Sequence, residues 1–151
     1  MDAFHDNGNG SIMRILPLAF TDASDDDIAD VSAITHAHEI SKNACIEYIH
    51  IARKLINGEK YIDEAIKDLD EDEIKSGGFV LDTLKASLWC ILNTDNYKDA
   101  VLKAVNLGSD TDTTSAVTGG LAGIIYGIEA IPKKWLEKLK NKELIEECLF
   151  E

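Results

Sequence analysis

Basic residues are scarce in this chain: 15 Lys and Arg stand against 28 Asp and Glu, a formal net charge of −13. That balance argues against binding a nucleic-acid phosphate backbone or an acidic membrane surface. Cysteine is scarce too. Cys45, Cys90 and Cys148 are widely spaced and odd in number, which makes neither a disulfide framework nor a zinc pattern and suits a reducing cytoplasm. The uncharged run between Asp112 and Glu129 is shorter than the ~20 apolar residues of a membrane span and begins with Thr and Ser. No segment alternates with period two for long, and no solenoid period repeats. The N-terminus shows neither a basic n-region nor an apolar h-region, so no secretory leader is expected.

What remains is a globule's supply of apolar residues, 45% of 151 positions. That is one domain's length and enough to bury a core. The acidic runs Asp25–Asp27 and Asp68–Glu73 read as solvated helix ends and loops. Helical periodicity accounts for most of the chain. Ser24-Asp-Asp-Asp27 resembles a capping box ahead of Ile28, Val31 and Ile34, and that helix ends near Thr35-His36-Ala37-His38. The spacing of His36 and His38 does not suit a helical zinc pair. From Glu39 to Asn57 a longer helix carries Ile40, Ala44, Ile49 and Ala52, closed by Gly58. Tyr61, Ala65, Ile66 and Leu69 mark another helix. After the Ser76-Gly-Gly78 turn, Phe79, Val80, Thr83, Leu84 and Leu88 line a buried one. Tyr97 to Leu107 forms the next, with Gly108 as its C′ residue. Pro132 fits position N1 of a helix through Leu139, and Leu144–Phe150 is a last, weak helix. The expected fold is all-α: one domain of about eight or nine helices around a glycine-rich central helix.

That central helix follows Leu107-Gly-Ser-Asp-Thr-Asp-Thr-Thr114. Five successive residues there, from Asp110 to Thr114, offer hard oxygens where a helix begins. Such a cluster suits Mg²⁺, Ca²⁺ or Mn²⁺ rather than zinc. Helix capping is the competing reading, because Asp, Ser and Thr are favoured N-caps and carboxylates suit the positive end. Gly119, Gly123 and Gly127 then recur at i, i+4 and i+8. Glycines inside a helix cost roughly 1 kcal/mol each against Ala, so another backbone is expected to approach closely. Near the N-terminus, Asp6-Asn-Gly-Asn-Gly10 is turn chemistry, followed by Ser11 as the cap of a short helix limited by Pro17. Backbone amides delivered to a helix start can hold an anion, and a tight turn with a cap is the plainer alternative.

Several of these pieces occur together, in this order, in one family. They are Asn7-Gly-Asn-Gly-Ser-Ile-Met-Arg-Ile-Leu-Pro-Leu, Thr35-His36, Gly77-Gly-Phe-Val-Leu-Asp-Thr-Leu, Asn106-Leu-Gly-Ser-Asp-Thr-Asp-Thr-Thr, the glycine helix, and Ile131-Pro with Trp135. The chain resembles the ADP-ribosylglycohydrolases, which include the dinitrogenase reductase-activating glycohydrolases. The likeness implies an all-helical hydrolase that removes ADP-ribose from a modified protein or small molecule at a cleft holding two Mg²⁺ or Mn²⁺ ions. It further implies Asp110, Asp112 and Thr113 as metal ligands, with Asn9 and Gly10 against the ADP-ribose. His36 falls near the phosphates and ribose, and Gly77, Gly78 and Phe79 beside the nucleotide. Phe79 keeps the ring of the Tyr often found there and lacks its hydroxyl. The likeness assigns no catalytic residue.

The family's first half, with its Thr-Asp-Asp metal motif, has no counterpart here. Residues 1–151 therefore resemble a C-terminal portion holding part of the metal ligand set. A portion of this kind is expected to expose an apolar face, and to self-associate or pair with a separate N-terminal half. A helical module that binds nucleotide or serves a structural, crystallin-like purpose without turnover is the alternative function.

Overall fold

A computed structural model describes residues 7–149. Its elements in chain order are α1 (Ile12–Ile15), a 3₁₀ turn (Leu16–Phe20), α2 (Asp25–Ala33), α3 (Glu39–Ile56), α4 (Glu64–Lys67) and a 3₁₀ turn (Glu71–Glu73). There follow α5 (Val80–Leu92), α6 (Tyr97–Asn106), α7 (Thr111–Tyr126), a 3₁₀ turn (Ile128–Ala130), α8 (Lys133–Lys138) and α9 (Lys142–Glu147). The class is all-α, as expected. Outside the helices, a single-residue antiparallel bridge joins Gly8 to Phe79. None of the described helices is long and apolar enough to cross a membrane.

The helix boundaries follow from local chemistry. The Ser24 side chain accepts from the Asp27 backbone N–H while the Asp27 carboxylate accepts from Ser24 N–H, so the capping box opens α2. His38 opens α3 by accepting from Ile40 N–H at Nδ1, 3.2 Å away. Asn96 does the same for α6 through Asp99 N–H. Gly108 is the C′ residue of α6 with φ of +79°, where a side chain would be strained.

Helix α7 is packed by α6, α5, α3 and α1, and its buried face is Thr114, Val117, Thr118, Leu121 and Ala122. Facing it are Tyr48 and Ile49 of α3, Leu84 and Leu88 of α5, and Ile12 and Ile15 of α1, all buried. The Tyr48 hydroxyl donates to the Val117 carbonyl at 3.1 Å, which gives a buried polar group its partner. Burial pushes the Tyr48 phenol well above its ordinary value. A second cluster, Ile74, Ala86, Trp89, Cys90 and Ala104, carries the loop before α5. It is tied by Trp89 Nε1 to Leu69 O at 2.9 Å, and the Lys103 ammonium sits 4.2 Å from the centre of the Trp89 ring.

Four local expectations need correction. Ser11 makes no capping bond; it is buried, and the Cys45 thiol donates to its hydroxyl at 3.5 Å. The helix expected through Tyr61–Leu69 shrinks to the four residues of α4, because the acidic stretch after it has too few apolar residues to pack. Pro132 is the N-cap of α8 rather than its first helical residue. The last helix is Lys142–Glu147, and Phe150 lies outside the described residues.

The glycine helix is corrected more substantially. A Cβ on Gly119 would meet Tyr97 Oη at 3.3 Å, and one on Gly120 would meet Leu16 Cδ2 at 2.5 Å and Tyr48 Oη at 3.0 Å. A Cβ on Gly123 would meet nothing within 4 Å. Gly127 is the C-cap at φ of +77°. Close approach therefore belongs to the adjacent pair Gly119 and Gly120, which face α6 and the α3–Leu16 side respectively. Beyond them lies an apolar groove lined by Leu16, Phe20, Ile56, Ile124 and Ile128, in which Phe20 and Ile128 are 64% and 69% exposed.

Candidate functional site

The Asn7–Gly10 loop and the Gly77–Val80 segment meet as a short antiparallel pair. Asn9 N–H donates to Gly78 O and Val80 N–H donates to Asn7 O, each at 3.0 Å. The loop is anchored from behind by the Ser41 hydroxyl of α3, which donates to Asn7 Oδ1 at 2.8 Å with both residues buried. Two segments some seventy residues apart in sequence thus form one backbone surface.

The start of α7 is fastened to that surface. Gly108 and Ser109 both have positive φ, +79° and +57°. For Ser109 that conformation costs roughly 1 kcal/mol, and it is held because the turn is bonded on both sides. Ser76 O accepts from Asp110 N–H at 3.0 Å, while Ser76 Oγ donates to Gly108 O at 3.0 Å. The turn delivers the Asp110 carboxylate to Asn9, whose Nδ2 donates to Asp110 Oδ2 at 2.6 Å and to Thr83 Oγ1 at 2.9 Å. A Cβ on Gly78 would lie 3.6 Å from the same Asp110 oxygen, an ordinary van der Waals contact, so the Gly77–Val80 segment runs directly beside that carboxylate.

Asn9 is the first cause of a depressed Asp110 pKa. Desolvation works against it, and the Thr113 hydroxyl, Asp112 and the Thr113 backbone add smaller lowering contributions. Asp110 makes no full capping bond to the first turn of α7. Its orientation comes mainly from Asn9, across 101 residues of sequence. Asp112 is exposed in that turn, Thr113 is buried, and Thr114 Oγ1 is a fully buried oxygen without a hydrogen-bond partner.

On the other side of the loop stands His36, just after α2. A Cβ on Gly8 would come within 3.1 Å of its Nε2, and one on Gly10 within 3.1 Å of its Cε1. The imidazole therefore lies against the loop backbone, and a side chain at either position would have to displace it by a few tenths of an ångström. His38 is accounted for as the cap of α3.

The structure thus brings Asn9, Gly10, His36, Gly77, Gly78, Phe79 and Asp110 to one face, with Asp112 and Thr113 one turn along α7. Both amide hydrogens of Asn9 are committed within the protein, which makes it a support for Asp110. Sequence reasoning missed Thr83 and Ser76 as parts of this frame. For Thr83 a signal was available: it is a hydroxyl on the buried stripe of α5, where an apolar residue would otherwise stand.

Asn9→Ala is expected to move the Asp110 titration up toward the ordinary carboxylate value, about 3.9. A carboxylate whose folded pKa is depressed contributes stability that is whole above the unfolded pKa and is lost as pH falls through the folded one. The variant should therefore lose stability relative to wild type at neutral pH, and the gap should narrow in acid to what the lost Asn9–Thr83 hydrogen bond contributes. Carboxyl ¹³C shifts followed against pH read the midpoint directly; an unmoved midpoint would show that Asn9 is not the cause.

The family model for ADP-ribosylglycohydrolase matches residues 2–150. The chain belongs to the ADP-ribosylglycohydrolase family. Among its relatives, the ADP-ribosylarginine hydrolase Tri1 of Serratia proteamaculans is 50% identical over 91 residues, 60% of this chain and 24% of that protein. Tri1 of Pseudomonas putida is 32% identical across 95% of this chain and 45% of its own length. The ADP-ribosyl-[dinitrogen reductase] glycohydrolase of Rhodospirillum rubrum is 33% identical across 91% of this chain and 52% of its own. A solved structure titled ADP-ribosylglycohydrolase-related protein complex superposes with a TM-score of 0.79 at 26% identity, covering 97% of this chain and 59% of the other. The chain spans about half the length of the second and third of these relatives.

Proposed function

We propose that this chain carries the nucleotide-facing loops and part of the metal shell of a hydrolase that removes ADP-ribose from a modified acceptor. The observation that carries this reading is the convergence of the Asn7–Gly10 loop, His36, Gly77–Phe79 and Asp110 on one face. The loop offers backbone groups to a diphosphate or ribose, with the His36 imidazole packed over Gly8 and Gly10. Phe79 offers a ring for stacking beside the nucleotide.

Asp110, Asp112 and Thr113 are the proposed ligands of Mg²⁺ or Mn²⁺. The donor set fits a hard cation: two carboxylates and a hydroxyl, with the orphaned Thr114 oxygen next in sequence and no nitrogen or sulfur among them. When bound, such an ion polarises ribose hydroxyls and a water molecule. Asn9 keeps the Asp110 carboxylate ionised and aimed. Among the described residues no group of three or more His, Cys, Asp and Glu is placed to hold a metal. In this proposal an ion that favours six oxygens draws its remaining ligands from the rest of the family fold. The apolar groove beside Gly123 is the face proposed to meet that remainder, or a second copy.

The acceptor proposed first is ADP-ribosylated arginine, the substrate named for the two Tri1 relatives. The three unpaired cysteines suit the cytoplasm as the place of action. Light scattering gives the assembly state. Release of ADP-ribose from an ADP-ribosylarginine peptide is then assayed with Mn²⁺ present, with and without a family N-terminal half. Efficient release only with the added half, or by a self-associated species, is the expected result. Release by a clean monomer would overturn the shared-shell proposal, and no release under any pairing would overturn the hydrolase reading.

A further inference from the structure

We infer that Arg14 and Thr35 are positioning residues for His36, holding its imidazole as the Nε2–H tautomer with Nε2 turned to the glycine loop. The Arg14 guanidinium reaches three oxygens. Nη1 donates to Gly10 O at 3.1 Å, and Nη2 donates to Val31 O at 3.1 Å and to Thr35 Oγ1 at 2.8 Å. A guanidinium only donates, so the Thr35 hydroxyl is an acceptor toward Arg14. The same oxygen lies 2.7 Å from His36 Nδ1. A hydroxyl already polarised by a cation is a better donor and a poorer second acceptor, so its proton goes to Nδ1. Nδ1 accepts, and the proton of the neutral ring resides on Nε2.

The direction in which that proton points rests on a separate observation. The 3.1 Å approaches to hypothetical Cβ atoms at Gly8 and Gly10 place the Nε2–Cε1 edge of the ring against the loop. One guanidinium therefore organises both partners: it holds the loop through Gly10 O and the imidazole through Thr35. A ring N–H on the loop side complements the acceptor oxygens of a diphosphate or ribose. This last step rests on the ADP-ribose reading of the site, whereas the tautomer does not.

The test uses the whole chain labelled with ¹⁵N-histidine, the His36 signals being assigned by their loss in His36→Gln. Long-range ¹H–¹⁵N spectra are expected to show His36 Nδ1 unprotonated and Nε2 protonated. Thr35→Val, which removes the hydroxyl at nearly constant volume, should mix the two tautomers. Thr35→Ser should restore the wild-type pattern, and Arg14→Leu should loosen it. A merely structural brace between α1 and α2 would leave the tautomer untouched in all three variants. A wild-type ring protonated at Nδ1, or a Thr35→Val variant with wild-type spectra, would overturn the inference. Calorimetric titration with ADP-ribose then reads the consequence. Loss of one well-aimed donor to a charged oxygen should weaken binding about tenfold in Thr35→Val and scarcely in Thr35→Ser. A wild-type chain that fails to bind ADP-ribose would count against the proposed function, while the spectra decide the tautomer independently.

Discussion

Replacing Asp110 and Asp112 together by Asn is expected to lower Mg²⁺ or Mn²⁺ affinity by more than about 100-fold. Even the outer-shell partners of metal ligands are worth about 10–100-fold, and this change removes two negative charges from the N-cap and first turn of α7. Helical content should be nearly unchanged. The capping account of these residues forecasts metal binding unaffected. Two observations weigh against it. Asp110 makes no full capping bond, and its carboxylate is held chiefly by Asn9 at 2.6 Å. Asn is itself a good N-cap, so the substitution spares whatever capping exists while removing the charge. Calorimetric metal titration beside far-UV circular dichroism separates the two accounts. Unchanged metal affinity, with or without loss of helix, would return Asp110 and Asp112 to the role of caps.

Gly120→Leu is expected to destabilise the chain by about 2–3 kcal/mol, at the upper end of overpacking costs. The first added atom already falls 2.5 Å from Leu16 Cδ2 and 3.0 Å from Tyr48 Oη. Leu16 is partly exposed and able to yield. Tyr48 is 1% exposed and bonded to the Val117 carbonyl, so displacing it would leave a buried hydroxyl without a partner. Helix propensity favours the substitution by about 1 kcal/mol or slightly less, and steric overlap outweighs it. At Gly123, three residues on, the balance reverses: nothing lies within 4 Å of a Cβ, so Gly123→Ala should stabilise by up to about 1 kcal/mol. Urea unfolding of both variants measures the contrast. Equal and opposite behaviour from that forecast would mean that the groove beside Gly123 is filled and the Gly120 side is open.

How far the chain could be read from its sequence varies with the range of the interaction. The capping box at Ser24, the C′ glycine at 108 and the apolar stripes of α3 and α5 were legible because each depends on residues within one or two helical turns. Where that local signal was weak, at Tyr61–Leu69, the reading overran. The order of the motifs also identified the family, since the spacing of glycines, carboxylates and histidine survives in the linear chain. The geometry of the site did not. Glycines at i, i+4 and i+8 suggested one contact stripe, yet the neighbours of each are decided by where Leu16, Tyr48 and Tyr97 arrive from other elements.

The sequence by itself determined the all-α class, most helix boundaries and the residue types available for hard-cation and nucleotide chemistry, because those follow from backbone hydrogen bonding and periodicity along the chain. Only the tertiary structure decided that Asn9 aims Asp110, that Ser76 and Thr83 frame the loop, that Arg14 and Thr35 set His36, and that Gly120 rather than Gly123 is the tight contact. Those partners are separated by as many as 101 residues. A hydrogen bond of under 3 Å or a steric limit at Cβ arises only when packing brings such distant segments together.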